Sequence, residues 1–274
     1  MSSVIKLLAL FVLASTSVSL AATTTLRVCA DPNNLPFSNR AQGGFENRLA
    51  QMVAKDLGMH VSYDWFPQRS AFFRKTLNAG QCDIVMGVPS GIPVASTTIP
   101  YYRSSYVFVT RRASHLHLTS MNDPRLHQLR IGVHITGDQD SNLPPVNALL
   151  SRGIVRNLVG YSIYGRLSEK NPPSDLIQAV ADRNVDVAIA WGPMAGYFAR
   201  HASVPLAVTP VDVVSPDPKM PFTFAISMGV RHGDRALLQQ LNAEIQRREP
   251  QIRQMLESYG VPLLATPPTV RVGD

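Results

Sequence analysis

LRVCADPNNLPF at residues 26–37, then FENRLAQMVAKDLG at 45–58 and VSYDWF at 61–66, is the stretch that decides the fold. Leu26 to Ala30 is a short apolar run with the residue types of a buried strand. Asp31-Pro32-Asn33-Asn34-Leu35-Pro36-Phe37 is a loop of turn formers. Phe45, Leu49, Met52, Val53 and Leu57 then fall on one helical face, with Gly58 placed to stop the helix. Val61 to Phe66 reads as a second strand. Ser70 is placed to cap a further helix through Phe72, Phe73 and Leu77, ended by Gly80. Ile84-Val85-Met86 is a third strand, bounded by Gly87. Strand, helix, strand, helix, strand in this order implies a parallel sheet with right-handed crossovers.

Tyr101 to Thr110 (YYRSSYVFVT) is extended in character, and residues 111–128 are polar and read as irregular. A second α/β cycle follows: a strand at Leu129–His134, a helix opened by Pro144-Pro145, a strand at Leu158–Tyr161, a helix after Pro172-Pro173-Ser174, and a strand at Val185–Ala190. Gly192-Pro193 opens another helix. Val204–Val214 and Phe222–Met228 are β-prone. Two helical stretches, around Leu237–Ile245 and Ile252–Tyr259, end the chain before a loose tail. Two α/β units followed by a return imply an α/β, two-lobed architecture with two hinge crossings, near 109–116 and 208–222. The expected division is 1–21 as signal peptide, 22–112 with 217–262 as the first lobe, 113–216 as the second, and 263–274 as the tail.

The N-terminal segment reads as a targeting signal. Lys6 precedes the apolar run Leu7–Leu13, and Ser19-Leu20-Ala21 offers small residues for cleavage after Ala21. That run is short for a bilayer span, Leu26-Arg27-Val28 before Cys29 does not suit a lipobox, and no membrane anchor is expected. The full chain carries a formal charge of +7, or +6 without residues 1–21, since only Lys6 is lost. The excess is dispersed, with no basic helix or aromatic-interleaved basic stripe, so it favours anionic partners generally and not nucleic acid. Two cysteines, Cys29 and Cys82, in an exported chain point to a disulfide, the other reading being two buried thiols. His115 and His117, or Asp138 and Asp140, are too few ligands to mark a metal site, and none is expected.

The stretches LRVCADPNNLPF, FENRLAQMVAKDLG, WFPQRSAFFRKTLNAGQCDIVMGVP (65–89), PYYRSSYVFV (100–109) and DVAIAWGPMAGYFA (186–199) together resemble one family. It is the quinoprotein-dehydrogenase-associated substrate-binding-like proteins, the MoxJ/XoxJ type of methanol dehydrogenase gene clusters. The resemblance spans the mature chain. It implies the type II periplasmic binding protein fold, a periplasmic location, and partnership with a PQQ-dependent alcohol dehydrogenase of the methanol type, whose maturation or activation it would assist. It does not imply that this chain holds the quinone; no cofactor is expected.

The chain departs from the wider amino-acid binders of this fold. Where those place an Arg for the ligand carboxylate, it reads Ser90-Gly91-Ile92-Pro93-Val94-Ala95-Ser96, without a basic residue to form a charge-assisted fork. Where they place an Asp for the ligand amine, it reads Ala190-Trp191-Gly192-Pro193. Ligands of open parallel sheets sit beyond the carboxyl ends of strands. The cleft candidates are therefore Asp31, Asn33, Asn34, Phe37 and Ser90 from one lobe, and Thr136, Gly137, Asp138, Trp191 and Gly192 from the other. Each has a plain structural reading as well: turn hydrogen bonds for Asp31 and the two Asn, core packing for Phe37, capping of the lobe for Trp191. Arg69, Tyr101, Tyr102 and Arg103 are candidates for a partner interface, with hinge packing as the other reading of the last three, near a crossing, and an anion contact or a surface or interlobe ion pair as the other readings of Arg69.

No G-x-S-x-G, P-loop, H-E-x-x-H or G-x-G-x-x-G motif is present. Three readings stand: an accessory protein of a dehydrogenase, a conventional importer component for a small non-amino-acid ligand, and, least supported, an enzyme on the same scaffold.

Overall fold

A computed structural model describes residues 24–136, 143–164, 171–212 and 221–265. The strands are β1 (Thr25–Ala30), the short pair β2 (Asn33–Asn34) and β3 (Ser38–Asn39), β4 (His60–Trp65), β5 (Ile84–Pro89), the two-residue β6 (Ser96–Thr97), β7 (Tyr102–Arg111), β8 (Ile131–Ile135), β9 (Leu158–Ser162), β10 (Val187–Trp191), β11 (Leu206–Pro210) and β12 (Thr223–Val230). The helices are α1 (Phe45–Asp56), α2 (Phe72–Lys75), α3 (Pro144–Leu150), α4 (Asp175–Ala181), α5 (Gly192–Arg200) and α6 (Arg235–Ser258). None of them is long and apolar enough to cross a membrane.

The sheet runs β4-β1-β5-β12-β7-β10-β8-β9. β1 lies parallel to both β4 and β5, and β8 parallel to both β10 and β9, as the alternation of strands and helices requires. Between these two parallel groups run β12 and β7. The first four residues of β7 pair with β12, from Tyr102↔Ile226 to Ser105↔Thr223. From Tyr106 onward β7 is flanked by β10 and β11 instead. The chain therefore changes partners between Ser105 and Tyr106, upstream of the 109–116 segment read from the sequence. In the second expected crossing, residues 213–220 lie outside the described residues.

Local chemistry explains the element that carries most of the site. Gly44 caps α1, and the Asn47 side chain accepts the Gly44 backbone N–H at 3.1 Å and the Asn39 N–H at 3.2 Å. A Cβ at Gly44 would run into the Phe37 carbonyl, so glycine is required there. Phe45, Leu49, Ala50 and Val53 turn inward against the sheet and α6. Each large apolar side chain so buried contributes roughly 1.5–3 kcal/mol. Asp56 at the end of α1 accepts two hydrogen bonds from Arg248 of α6, at 2.7 and 2.6 Å, and so ties the two helices.

Cys29 and Cys82 are joined by a disulfide, with Cα atoms 5.5 Å apart, in an apolar cluster with Phe72, Leu77 and Val88. Beside it Asp83 takes a two-pronged contact from Arg27 and a further one from Arg231, which hold its carboxyl below the usual range against the opposing cost of burial.

Several sequence expectations are corrected. The C-terminal helices are one: α6 runs unbroken through Pro250. Proline normally breaks a helix by removing a donor and crowding the preceding turn. Here Leu241, Ile245, Ile252 and Leu256 lie on one buried face, and their packing holds the two segments in line. Residues 111–128 are not merely irregular surface, for Leu118, Met121 and Leu126 are buried in a core cluster with Phe108 and Ile131. α2 is a single short turn preceded by Ala71, and Ser70 does not cap it. The start of the tail is not loose: Leu264 donates its N–H to the Arg103 carbonyl at 2.9 Å, and Arg103 donates to the Ala265 carbonyl at 2.9 Å. Residues 1–21 lie outside the described residues.

Gly196 of α5 packs against the carbonyl of Gly260 just beyond α6, where a Cβ would collide with backbone that cannot swing aside. Gly196→Ala is expected to lower the unfolding free energy by about 1–3 kcal/mol, the usual cost of overpacking. Urea unfolding checks this; an unchanged midpoint would mean that the two helices part freely.

Candidate functional site

The carboxyl ends of the two parallel groups face each other across β7 and β12, and a cavity of about 330 Å³ opens between them. One wall comes from the first half: Phe37 from the turn between β2 and β3, Glu46 from α1, and Gly87 to Pro89 from β5. The other comes from the second: Tyr106, His134, Trp191 and Met194, with Phe224 of β12. The rings interlock edge to face. Trp191 lies 5.5 Å from Tyr106 and 5.6 Å from Phe224, centroid to centroid. Trp191 packs against three separate apolar clusters, so its orientation is set from both halves. Among the described residues no Lys or Arg lines this cavity.

Glu46 is the one acidic residue among the described residues that line it. The surface it keeps open faces the cavity, and burial pushes its pKa up to about 8, with the neighbouring charge of Asp31 adding to the rise. Gly87 makes room for it, since a Cβ on Gly87 would overlap the carboxyl group. Tyr101 and Tyr102 are held well above the ordinary tyrosine range, first by burial and then by the Glu46 charge. His134, buried, with Nε2 3.2 Å from the Pro173 carbonyl, has its pKa lowered to about 4 by burial, which the Pro173 carbonyl opposes. It is the neutral imidazole at physiological pH.

A second, more polar cavity of about 430 Å³ adjoins the first, with Asn34, Ile163 and Tyr164 bordering both. Asp31, Asn33, Arg69 and Lys75 line it. Contacts among the described residues span the halves here: the Asn171 N–H donates to the Asn33 side-chain oxygen at 3.3 Å, and the Arg69 guanidinium lies 5.5 Å from the Tyr164 ring centre.

The residues singled out from sequence fall into distinct places. Asn34, Phe37 and Trp191 line the apolar cavity. Asp31 and Asn33 line the polar one, and Asp31 also accepts the N–H groups of Asn33 at 2.8 Å and Gln68 at 2.7 Å, so it organises both loops. Ser90 lines neither cavity; its hydroxyl lies 2.6 Å from that of Ser227. Gly192 begins α5 tight against the Ser105 carbonyl and the Ser104 hydroxyl, outside the lining. Thr136 ends the described part of its loop, and Gly137 and Asp138 lie outside the described residues. Tyr101 and Tyr102 are not an outer surface. Both are buried, Tyr101 donates its hydroxyl to the Met86 carbonyl at 2.9 Å, and Tyr102 lines the apolar cavity, because the N-terminal half of β7 runs through the middle of the sheet. Arg103 is the half-exposed member of that trio. Glu46, Gly87, Tyr106, His134 and Phe224 were not anticipated. The one sequence signal for Glu46 is an acid in the first turn of an otherwise core-facing helix, opposite a glycine in the third expected strand. Among the described residues no group of three His, Cys, Asp or Glu could hold a metal ion.

The pattern described as bacterial extracellular solute-binding proteins, family 3, matches residues 26–261. Protein MoxJ of Methylorubrum extorquens is 32% identical over 248 residues, covering 88% of this chain and 82% of that protein. The crystal structure of the periplasmic binding protein XoxJ from Methylobacterium extorquens AM1 superposes with a TM-score of 0.71 at 36% identity, covering 88% of this chain and all of that one. The crystal structure of MxaJ from Methlophaga aminisulfidivorans gives a TM-score of 0.75 at 29% identity, over 87% of this chain and all of that one.

Proposed function

Because the chain belongs to the bacterial extracellular solute-binding proteins, family 3, and within them is a type II periplasmic binding protein of the MoxJ/XoxJ type, we propose that it works in the periplasm, after loss of residues 1–21, as an accessory that docks to a PQQ-dependent, methanol-type alcohol dehydrogenase and assists its maturation or activation. Proteins of this family and fold are in general not enzymes, and we assign this one no catalysis. The lobes we propose divide where β7 changes partner, with β4, β1, β5 and β12 in one and β10, β8, β9 and β11 in the other.

The observation that carries the reading is the cleft itself. A binding protein that delivers amino acids needs a cation for the carboxylate and an anion for the amine on opposite walls. The stretch expected to bear the cation, Ser90 to Ser96, has no basic residue, and among the described residues no Lys or Arg lines the cavity. The wall expected to bear the anion has Trp191. Residues of the amino-acid type are thereby disfavoured as cargo, since an unpaired buried carboxylate is costly. The importer reading, for a small ligand that is not an amino acid, keeps one argument of its own: the cavity is large enough for a small solute.

Immobilised protein lacking residues 1–21, exposed to periplasmic extract of alcohol-grown source cells, is expected to retain a quinoprotein dehydrogenase identifiable by mass and by dye-linked alcohol oxidation. If the positive charge steers the encounter, moderate salt will release it, because the screening length falls to about 8–10 Å near 0.1 M. Retention of no dehydrogenase at either salt would overturn the accessory reading and leave the importer reading in its place.

A further inference from the structure

We propose that the apolar cavity between the two halves of the sheet binds a small organic cation, an alkylammonium or quaternary ammonium group, with the Glu46 carboxylate as its counter-ion and the rings of Trp191, Tyr106 and Phe224 as its walls. This goes beyond docking to a dehydrogenase and does not rest on it.

Three features converge. The first is Glu46. No donor among the described residues hydrogen-bonds its carboxyl, and no basic side chain shares its cavity. A carboxyl held out of water without a donor or a cation is destabilised when ionised. The protein tolerates that arrangement around a glycine, Gly87, that leaves the carboxyl its space. A guest that supplies the missing positive charge supplies what the protein withholds. The second is the aromatic wall. Trp191, Tyr106 and Phe224 meet edge to face at 5.5–5.6 Å, which presents π-surfaces to a guest rather than stacking them against one another. Ring faces attract cations, Trp most strongly, and desolvated sites gain most from the contact. The third is size and polarity. About 330 Å³ suits a small molecule, and the other polar groups of the described lining carry no charge at neutral pH: His134, the tyrosine hydroxyls, Gln68, and Asn34, which bonds Gln68 and also borders the polar cavity. An anion would meet an unpaired acid with no compensating cation among the described residues. A neutral alcohol would gain one hydrogen bond from the carboxyl and nothing from the ring quadrupoles.

The two halves also contribute unequally. Glu46 stands on α1 in the first, whereas Tyr106 and Trp191 stand in the second, so a bound cation would bridge them and favour the closed arrangement.

The test uses matched probes on the purified protein. Isothermal titration with n-butylammonium and with choline is compared with n-butanol and 3,3-dimethylbutan-1-ol, their uncharged isosteres, and with butyrate. The expected result is binding of the cations at least tenfold tighter than that of the isosteres, and none of butyrate, with Glu46→Gln weakening the cations about tenfold or more and leaving the alcohols unaffected. Phe224→Leu, which keeps the acid and removes one ring, is expected to weaken choline more than n-butanol, and serves if the glutamine variant fails to fold. Equal affinity for cation and isostere, unchanged affinity in both variants, or no binding of any cation at 10-millimolar order (about a hundredfold above the ~0.1 mM expected of such a site) would each overturn the proposal. None of these outcomes depends on whether a dehydrogenase is retained, so the two readings fail separately.

Discussion

Between pH 5 and 9 the Glu46→Gln variant is expected to gain about 3–5 kcal/mol of unfolding free energy relative to the parent protein. The sign follows from the protons. The Glu46 carboxyl ionises at about 8 when folded, against 4.5 ordinarily. Between those values the folded chain holds a proton that the unfolded chain has released, so stability is fully present below about 4.5 and drains away as pH rises through 8. The lower end of the range allows for the part of the side chain that faces the cavity rather than protein. Glutamine mimics the protonated acid and cannot ionise, so the variant escapes the loss.

The parent's own curve carries a second influence. His134 is lowered from 6.5 to about 4, so its contribution is present above 6.5 and is lost as pH falls toward 4. From 4.5 to 6.5 the two groups oppose and the parent curve is flat on their account; from 6.5 to 8 Glu46 acts alone and stability falls by roughly 2 kcal/mol. Asp31, Tyr63, Tyr101 and Tyr102 also face Glu46; the tyrosines are raised from 10, outside this window, by burial first and the Glu46 charge after it. Urea titrations of both proteins at half-unit steps check this. Parallel curves above pH 6.5 would mean that Glu46 is already ionised in the folded chain, with a counter-charge the structure does not show.

Reducing the Cys29–Cys82 disulfide is expected to cost about 4 kcal/mol, since the bond closes a loop across a separation of 53 residues in the unfolded chain. Comparing oxidised and reduced forms of the same sequence leaves core packing nearly constant, which a Cys→Ala pair would not. The bond also clips the carboxyl end of β1, two residues before Asp31, to the start of β5, the strand that carries Gly87, so both cavities should loosen with it. A loss below about 1 kcal/mol would show that the unfolded chain is already constrained across this loop.

What was legible in the sequence was local. β1, α1 and β4 are written in a period-3.6 face between two short strand-like runs, LRVCA and VSYDWF, and the order of those signals implies the parallel group without any long-range information. The family resemblance carried the architecture further than periodicity could. The cavity was less legible because it is assembled from residues 37, 46, 87, 106, 134, 191 and 224, each of which has a plain role in its own element. Glu46 is a routine first-turn acid on a helix, and Gly87 a routine strand terminus, until β5 and α1 are brought face to face. Tyr101 and Tyr102, beside a crossing, read equally as a partner interface or as hinge packing; the insertion of β12 next to β7 is what buries them. The last helix reads as two stretches, Leu237–Ile245 and Ile252–Tyr259, when the buried stripe that runs past Pro250 is not seen as continuous.

That insertion has a consequence for how the molecule comes into being. β12 sits between β5 and β7, yet lies more than a hundred residues after both in the chain. Until about residue 230 has been made, β5 and the start of β7 expose the edges that β12 will cover. The sheet therefore completes late, through contacts of high sequence separation, which slow folding. For a member of an extracellular family such lateness has a use. A nascent chain that lacks the middle of its own sheet stays pliable, and a pliable chain can still be threaded through a translocation pore.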